Sequence, residues 1–398
     1  MTDGIGVAAE KLLADEGDYH VSHAKMLGAK SVHEAHSSNR KVERMLYCAK
    51  VLKRGKIAAL RACEWVGASA AVGASEWRRN RLLILCYHGI SIDDEHEWDP
   101  ELYIPQSLFR QRIESLRESG CDVLPLEEGL ERMSRGDLRR PSVAITFDDG
   151  THDFYLRALP VIREYQVPVT VYLTTYYCLN NLPVFNGICS YLLWKARGQR
   201  LDARPFTGET KHYDLGLAQG RAEALGDLRR FADSRQLSGS DKNKLAEHLA
   251  AETKGDFAAI LNRRMIHIMS ATEVTETAAA GVDIQLHTHR HRTPSDRTQF
   301  IREIDQNRAV IRDLTGKQAR HFCYPSGVCR SEFLPWLRES EVVSATTCQP
   351  GLASRNSDAL LLPRLIDTSA LTRPEFEGWI SGTAAWLPRR TDQGEIKA

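Results

Sequence analysis

Thr146-Phe147-Asp148-Asp149-Gly150 sets two adjacent carboxylates at the end of an apolar run, Val143-Ala144-Ile145, and closes them with a glycine. Ionised groups are costly where a buried strand ends, unless a cation or a reaction uses them. Far downstream, His287-Thr288-His289-Arg290-His291 follows another apolar segment, Val282 to Leu286. The two stretches supply a carboxylate and two imidazoles for a divalent ion, with one carboxylate to spare. We assign Asp149, His287 and His291 as ligands, which leaves coordination positions open for water and a substrate oxygen. Asp148 is then the general base, and His289 should point away from the other two histidines. Each motif alone also has a bland reading, as surface acids or a solvated histidine loop; together, after separate strands, they point to a metal-dependent hydrolase.

Further residues at strand ends complete the candidate set. His88, with Gly89 after the apolar run Leu82 to Tyr87, is a candidate acid for the leaving amine, or else a structural histidine at a turn. Backbone N–H groups around Tyr324 to Gly327 are candidates for an oxyanion hole. Arg364, within Leu360 to Ile366, either contacts substrate, orients a carboxylate or forms a surface ion pair.

The elements that must carry these residues alternate. Short apolar strands at Leu82–Tyr87, Cys121–Leu124, Ser142–Phe147 and Val169–Leu173 are separated by helical spacing at Ser107–Gly120, Leu126–Met133 and Tyr155–Tyr165. The α/β rhythm predicts a parallel sheet closed or nearly closed on itself, with chemistry at the carboxyl ends of its strands. It breaks at about 176–268, read as a mostly helical insertion that either shapes a substrate groove or is a structural elaboration. Ser270-Ala271-Thr272-Glu273 has the form of a capping box, and strands at 282–286, 320–324, 342–346 and 360–366 resume the pattern. The resulting division is a helical, partly disordered arm at 1–80, the catalytic domain at 81–370 and a carboxy-terminal tail at 371–398 that is loose after about Leu387.

Over the 398 residues, 53 basic and 52 acidic side chains give a net charge of +1, which offers no global attraction for nucleic acid. The nine cysteines are scattered without a CxxC pair, and the amino terminus lacks a signal-peptide pattern, so a cytoplasmic protein is expected. No apolar run is long enough to span a bilayer. Residues 40–62 form a basic amphipathic pattern, either packed on the domain or touching the inner membrane surface.

In combination TFDDG, HTHRH, FCYPSG and the upstream CYHGI resemble the polysaccharide deacetylase family, with the NodB homology domain of carbohydrate esterase family 4. The resemblance spans roughly Leu82 to Asp367 and is nearest to exopolysaccharide-type N-deacetylases. It implies a distorted (β/α) barrel of about seven strands and removal of N-acetyl groups from an amino-sugar oligosaccharide, polysaccharide or lipid-linked precursor. The implied cofactor is a divalent metal, zinc first, with Co2+, Ni2+ or Mn2+ as alternatives. The family's base and ligand positions fall on Asp148, Asp149, His287 and His291, and Tyr87-His88 resembles its amino-terminal acid. Its Arg-x-Pro-aromatic turn falls on Cys323 to Ser326, so that arginine is absent, while Tyr324 and Pro325 match a variant and are expected at the substrate together with Arg364. Hydrolysis of another linear or cyclic amide, or a non-catalytic carbohydrate-binding role, are the rival readings.

Overall fold

The computed structural model describes residues 51–387. Expectations for residues 1–50, including the first part of the 40–62 amphipathic stretch, and for 388–398 lie outside the described residues. Among the described residues the central sheet has nine strands, seven of which form the barrel wall: β1 (Arg81–Tyr87), β2 (Ser142–Phe147), β3 (Val169–Leu173), β4 (Asp283–Leu286), β5 (His321–Cys323), β6 (Ser344–Thr346) and β7 (Leu365–Ile366); the short strands Asp122–Val123 and Ala353–Ser354 add to β2 and β1 at their amino-terminal ends. β1 pairs with β2, β2 with β3, β3 with β4, β4 with β5 and β5 with β6, all in parallel. The segment leading into β7 closes the ring. Leu362 bridges Thr346 of β6, and three residues later Leu365 pairs with Leu85 of β1. The expected distorted barrel of about seven strands is thus observed.

Alternation of side chains along the strands divides the core into two. Leu82 and Ile84 of β1, Ala144 of β2, Tyr172 of β3 and Cys323 of β5 face the barrel interior, where the helix Leu126–Arg135 plugs the amino-terminal end with Leu126 and Met133. Leu83, Leu85, Val143 and Ile145 face outward, against Phe109 and Ile113 of the helix Gln106–Glu118 and Phe300 and Ile304 of the helix Arg297–Thr315. Each such side chain contributes roughly 1.5–3 kcal/mol on burial. The same period carries the interior face from Ala144 through Thr146 to Asp148, so the first aspartate continues the interior row.

One detail differs from the expected helical spacing. The 155–165 stretch begins as a π-helix, Phe154–Ala158, before becoming α-helical at Leu159–Tyr165. The 241–262 stretch is two helices, Gly239–Glu252 and Phe257–Asn262, separated at Lys254, which takes a left-handed φ of 55°. Residues 371–387 include a helix, Arg373–Ser381, started by a capping box of Thr372 and Glu375, with Phe376 and Trp379 buried. The described part of the amino-terminal arm lies against that helix. Lys53 Nζ donates to the Ala370 carbonyl at 2.7 Å, Lys56 pairs with Glu375 at 3.8 Å, and Leu60 is buried in the core.

Between β3 and β4 the chain forms helices around the largely buried helix Phe185–Lys195, and a hairpin pairing Arg200–Asp202 with His212–Asp214. Its exit returns to the barrel mouth: Ile268 bridges Thr151, and the Met269 N–H donates to the Gly150 carbonyl at 2.9 Å.

Candidate metal centre

β2 delivers both aspartates, and the turn after it is conformationally demanding. Asp149 has a φ of 67° and Gly150 one of 75°. A Cβ on Gly150 would sit 2.4 Å from Leu173 Cδ1, so only glycine allows this close approach to β3. Thr288 and His291 also adopt left-handed backbone, at 61° and 56°. Such conformations cost of order 1–3 kcal/mol each and persist where the surroundings over-determine them, as around functional sites.

The turns bring His287 Nε2 and His291 Nε2 each to 3.1 Å from Asp149 Oδ1. The ligand atoms of the three residues lie within 4.8 Å of one another. His287 Nδ1 lies 2.9 Å from the Cys323 carbonyl, to which only an N–H can donate. A neutral ring then turns a lone pair at Nε2 toward a carboxylate oxygen, an acceptor facing an acceptor, which calls for a cation between them. Two imidazoles and one carboxylate are a donor set suited to zinc and its neighbours, so the residues fit a divalent ion. Burial alone would raise the Asp149 carboxyl, but His291 and His287 outweigh it and hold it well below the usual carboxylate range. Burial depresses His291 as a base, which favours the neutral form a ligand needs.

Asp148 lies beside this cluster in a different environment. Arg364 reaches it from the segment before β7 with a guanidinium fork, Nη1 to Oδ1 at 2.7 Å and Nη2 to Oδ2 at 2.5 Å, both side chains being buried. Burial pushes the Asp148 carboxyl up; Arg364, with His88 and His287, outweighs this and keeps it ionised. Cys86 and Cys323 place Sγ 3.6 and 3.4 Å from Oδ2, and His88 Nε2 lies 3.6 Å from the same oxygen. Asp148 therefore also belongs to donor clusters with Cys86 and His88 and with His287 and Cys323. The charge of Arg364, only 2.9 Å from Cys323 Sγ, disfavours a second cation there.

The remaining expected residues are placed as follows. His289 turns away from the cluster, with Nδ1 2.8 Å from Thr175 Oγ1. Tyr324 is buried and its hydroxyl donates to the Leu360 carbonyl at 3.0 Å, so its side chain braces the turn in place of the expected substrate contact. Pro325, also buried, opens that turn. Arg364 likewise faces Asp148, not a substrate surface. The amides of Tyr324, Gly327 and Val328 already donate to the carbonyls of Thr346, Tyr324 and Pro325, so they are not available as an oxyanion hole.

Supporting residues escaped the sequence reading. Asn307 accepts from the His287 N–H at 2.9 Å and donates to the Leu173 carbonyl at 2.9 Å. Glu303 accepts from the Arg290 N–H at 2.7 Å and from the side chains of Arg290 and Arg292. Both lie on the buried face of Arg297–Thr315, and polar residues one turn apart beside Phe300, Ile304 and Ile311 were the available signal.

The family model described as polysaccharide deacetylase matches residues 135–190 and 247–343, the segments that carry both aspartates and the histidine run. Over those segments the chain is similar to that family. The gap between the segments falls within the helical insertion. Among curated proteins, a poly-beta-1,6-N-acetyl-D-glucosamine N-deacetylase of Staphylococcus epidermidis is 31% identical over 144 residues, 35% of this chain and 46% of that protein. A protein of the same description from Staphylococcus aureus strain MSSA476 is 32% identical over 72 residues, 18% of this chain and 25% of its own length. The chain thus spans less than half the length of these relatives. Similar solved structures include the Streptococcus pyogenes deacetylase PplD in complex with acetate, with TM-score 0.49 and 17% identity over 74% of this chain and 96% of that one. IcaB from Ammonifex degensii has TM-score 0.46 and 16% identity over 76% of this chain and 97% of its own.

Proposed function

We propose that this protein is a metal-dependent hydrolase that removes N-acetyl groups from an amino-sugar oligosaccharide, polysaccharide or lipid-linked precursor. The observation that carries the reading is the convergence of His287 and His291 on Asp149 Oδ1, with the ionised Asp148 beside it. A divalent ion held by Asp149, His287 and His291, zinc by preference, supplies Lewis acidity toward the amide carbonyl and lowers the pKa of water. Asp148 accepts the water's proton. Its ionised state at neutral pH keeps it competent, while Arg364 fixes its orientation and limits its basicity. His88, with Nε2 3.6 Å from Asp148 Oδ2, delivers a proton to the leaving amine.

Acetate release from N-acetylglucosamine oligomers, with and without a chelator, tests this reading. Chelator-sensitive release is expected; release only from small non-sugar amides would favour the broader amide hydrolase, and sugar binding without any hydrolysis the non-catalytic alternative. All eight described cysteines are free thiols, which supports a reducing, cytoplasmic setting that cell fractionation tests. Exposed Leu52 within the basic stretch 40–62, with exposed Trp65 and Val66 just beyond it, supports peripheral contact with the inner membrane surface, which co-sedimentation with anionic vesicles tests.

A further inference from the structure

A cavity of about 180 Å3 opens beside Asp149, between the loop that follows His88 and the helical insertion. On the loop side its wall is Trp98 and Tyr103, with ring centroids 5.7 Å apart. Tyr103 sits directly on the His88–Gly89 turn, since a Cβ on Gly89 would lie 2.2 Å from Tyr103 Cε1. On the insertion side Val184, Leu225 and Ile266 are all buried and form a floor, while the partly exposed Asn186 offers an amide.

We propose that this cavity receives one terminal amino-sugar ring, so that the enzyme deacetylates chain ends and not interior residues. The inference rests on the deacetylase reading and adds its substrate class. The amine leaves toward His88, and the cavity is walled by Tyr103, which packs on the His88–Gly89 turn, so it is the sugar and not the acyl group that enters. Its volume equals about six waters at roughly 30 Å3 each, enough for about one pyranose ring. It falls below the ~300–1,000 Å3 of sites that enclose larger ligands. Two aromatic faces suit the apolar face of a sugar, and Asn186 suits a hydroxyl. The buried floor leaves a second ring no continuation through the insertion.

The test uses N-acetylglucosamine dimer and pentamer, labelled at the reducing end, with the metal-loaded protein, reading acetate and the position of the freed amine by mass spectrometry. Loss of one acetyl per chain at a terminal ring is expected, with kcat/KM changing by less than about threefold from dimer to pentamer. Free amines at interior rings, or a rise of about tenfold or more with length, would overturn the proposal. So would a kcat/KM that climbs with acyl length across N-acetyl, N-butyryl and N-hexanoyl glucosamine, because the cavity would then hold the acyl chain. Binding separates this proposal from the catalytic reading. N-acetylglucosamine should quench the tryptophan fluorescence of Asp148→Asn saturably, and Trp98→Phe in that background should remove the change. Saturable quenching with no acetate from the wild-type protein would keep the ring site and defeat the deacetylase; absence of quenching would defeat the ring site.

Discussion

With a guanidinium fork on both oxygens and almost no solvent, Asp148 depends on Arg364 for its charge. Truncating one member of such a buried pair strands the other, at about 3–5 kcal/mol. Arg364→Met should therefore lower unfolding stability by that order, whereas Asp148→Asn combined with Arg364→Met should recover part of the loss. A double-mutant cycle from urea melts checks this, and additive losses would contradict the coupling. The division between the two aspartates gives a second prediction. Asp149→Ala should lose both bound metal and turnover, while Asp148→Asn should keep about one equivalent of metal and lose roughly 10²–10⁴-fold in rate, read by elemental analysis and acetate release. His88→Ala should also keep its metal. Both aspartates and the outer histidines stand out in the sequence because each of the two motifs directly follows an apolar strand. The partnership of Arg364 with Asp148 was not, since it arises only when the segment before β7 closes the barrel against β1. The approach of the Cys86 and Cys323 thiols to Asp148 was not legible for the same reason.

At the scale of elements, the turn after β2 is the most constrained feature of the site. Gly150→Ala would force a methyl against Leu173 in a left-handed backbone, so destabilisation of about 1–3 kcal/mol is expected, with weakened metal affinity because Asp149 shares the turn. Thermal melts and metal titration of the variant check both effects. The strands were legible from apolar runs, and β2 and β3 fall where expected, as does the Ser270–Glu273 capping box. The equivalent Thr372–Glu375 box was passed over, although its spacing is the same, and with it the helix that seats the amino-terminal arm. The π-helical start of 154–158 is not legible from apolar spacing, because one extra residue per turn changes the face only locally.

Across the whole molecule, the insertion and barrel meet through His267, whose carbonyl accepts from the His152 N–H at 2.8 Å. Burial lowers this histidine to about 4, so the folded protein leaves it neutral between about pH 4 and 6.5 while the unfolded chain protonates it. The unfolded state then binds more protons, and stability falls as pH drops through that window, by about 1.4 kcal/mol per pH unit from this group. Urea melts across the window should show His267→Gln with a shallower slope than wild type; equal slopes would remove His267 from the account. The sequence left the role of the insertion between two readings, because contacts such as that between Ile268 and Thr151 depend on how the helices return to the barrel.

The most direct measurement is titration of metal-free protein with Zn2+, following acetate release from N-acetylglucosamine oligomers. Release should rise linearly and break at one ion per chain. Release undiminished in the metal-free protein, or none with one equivalent bound, would contradict it.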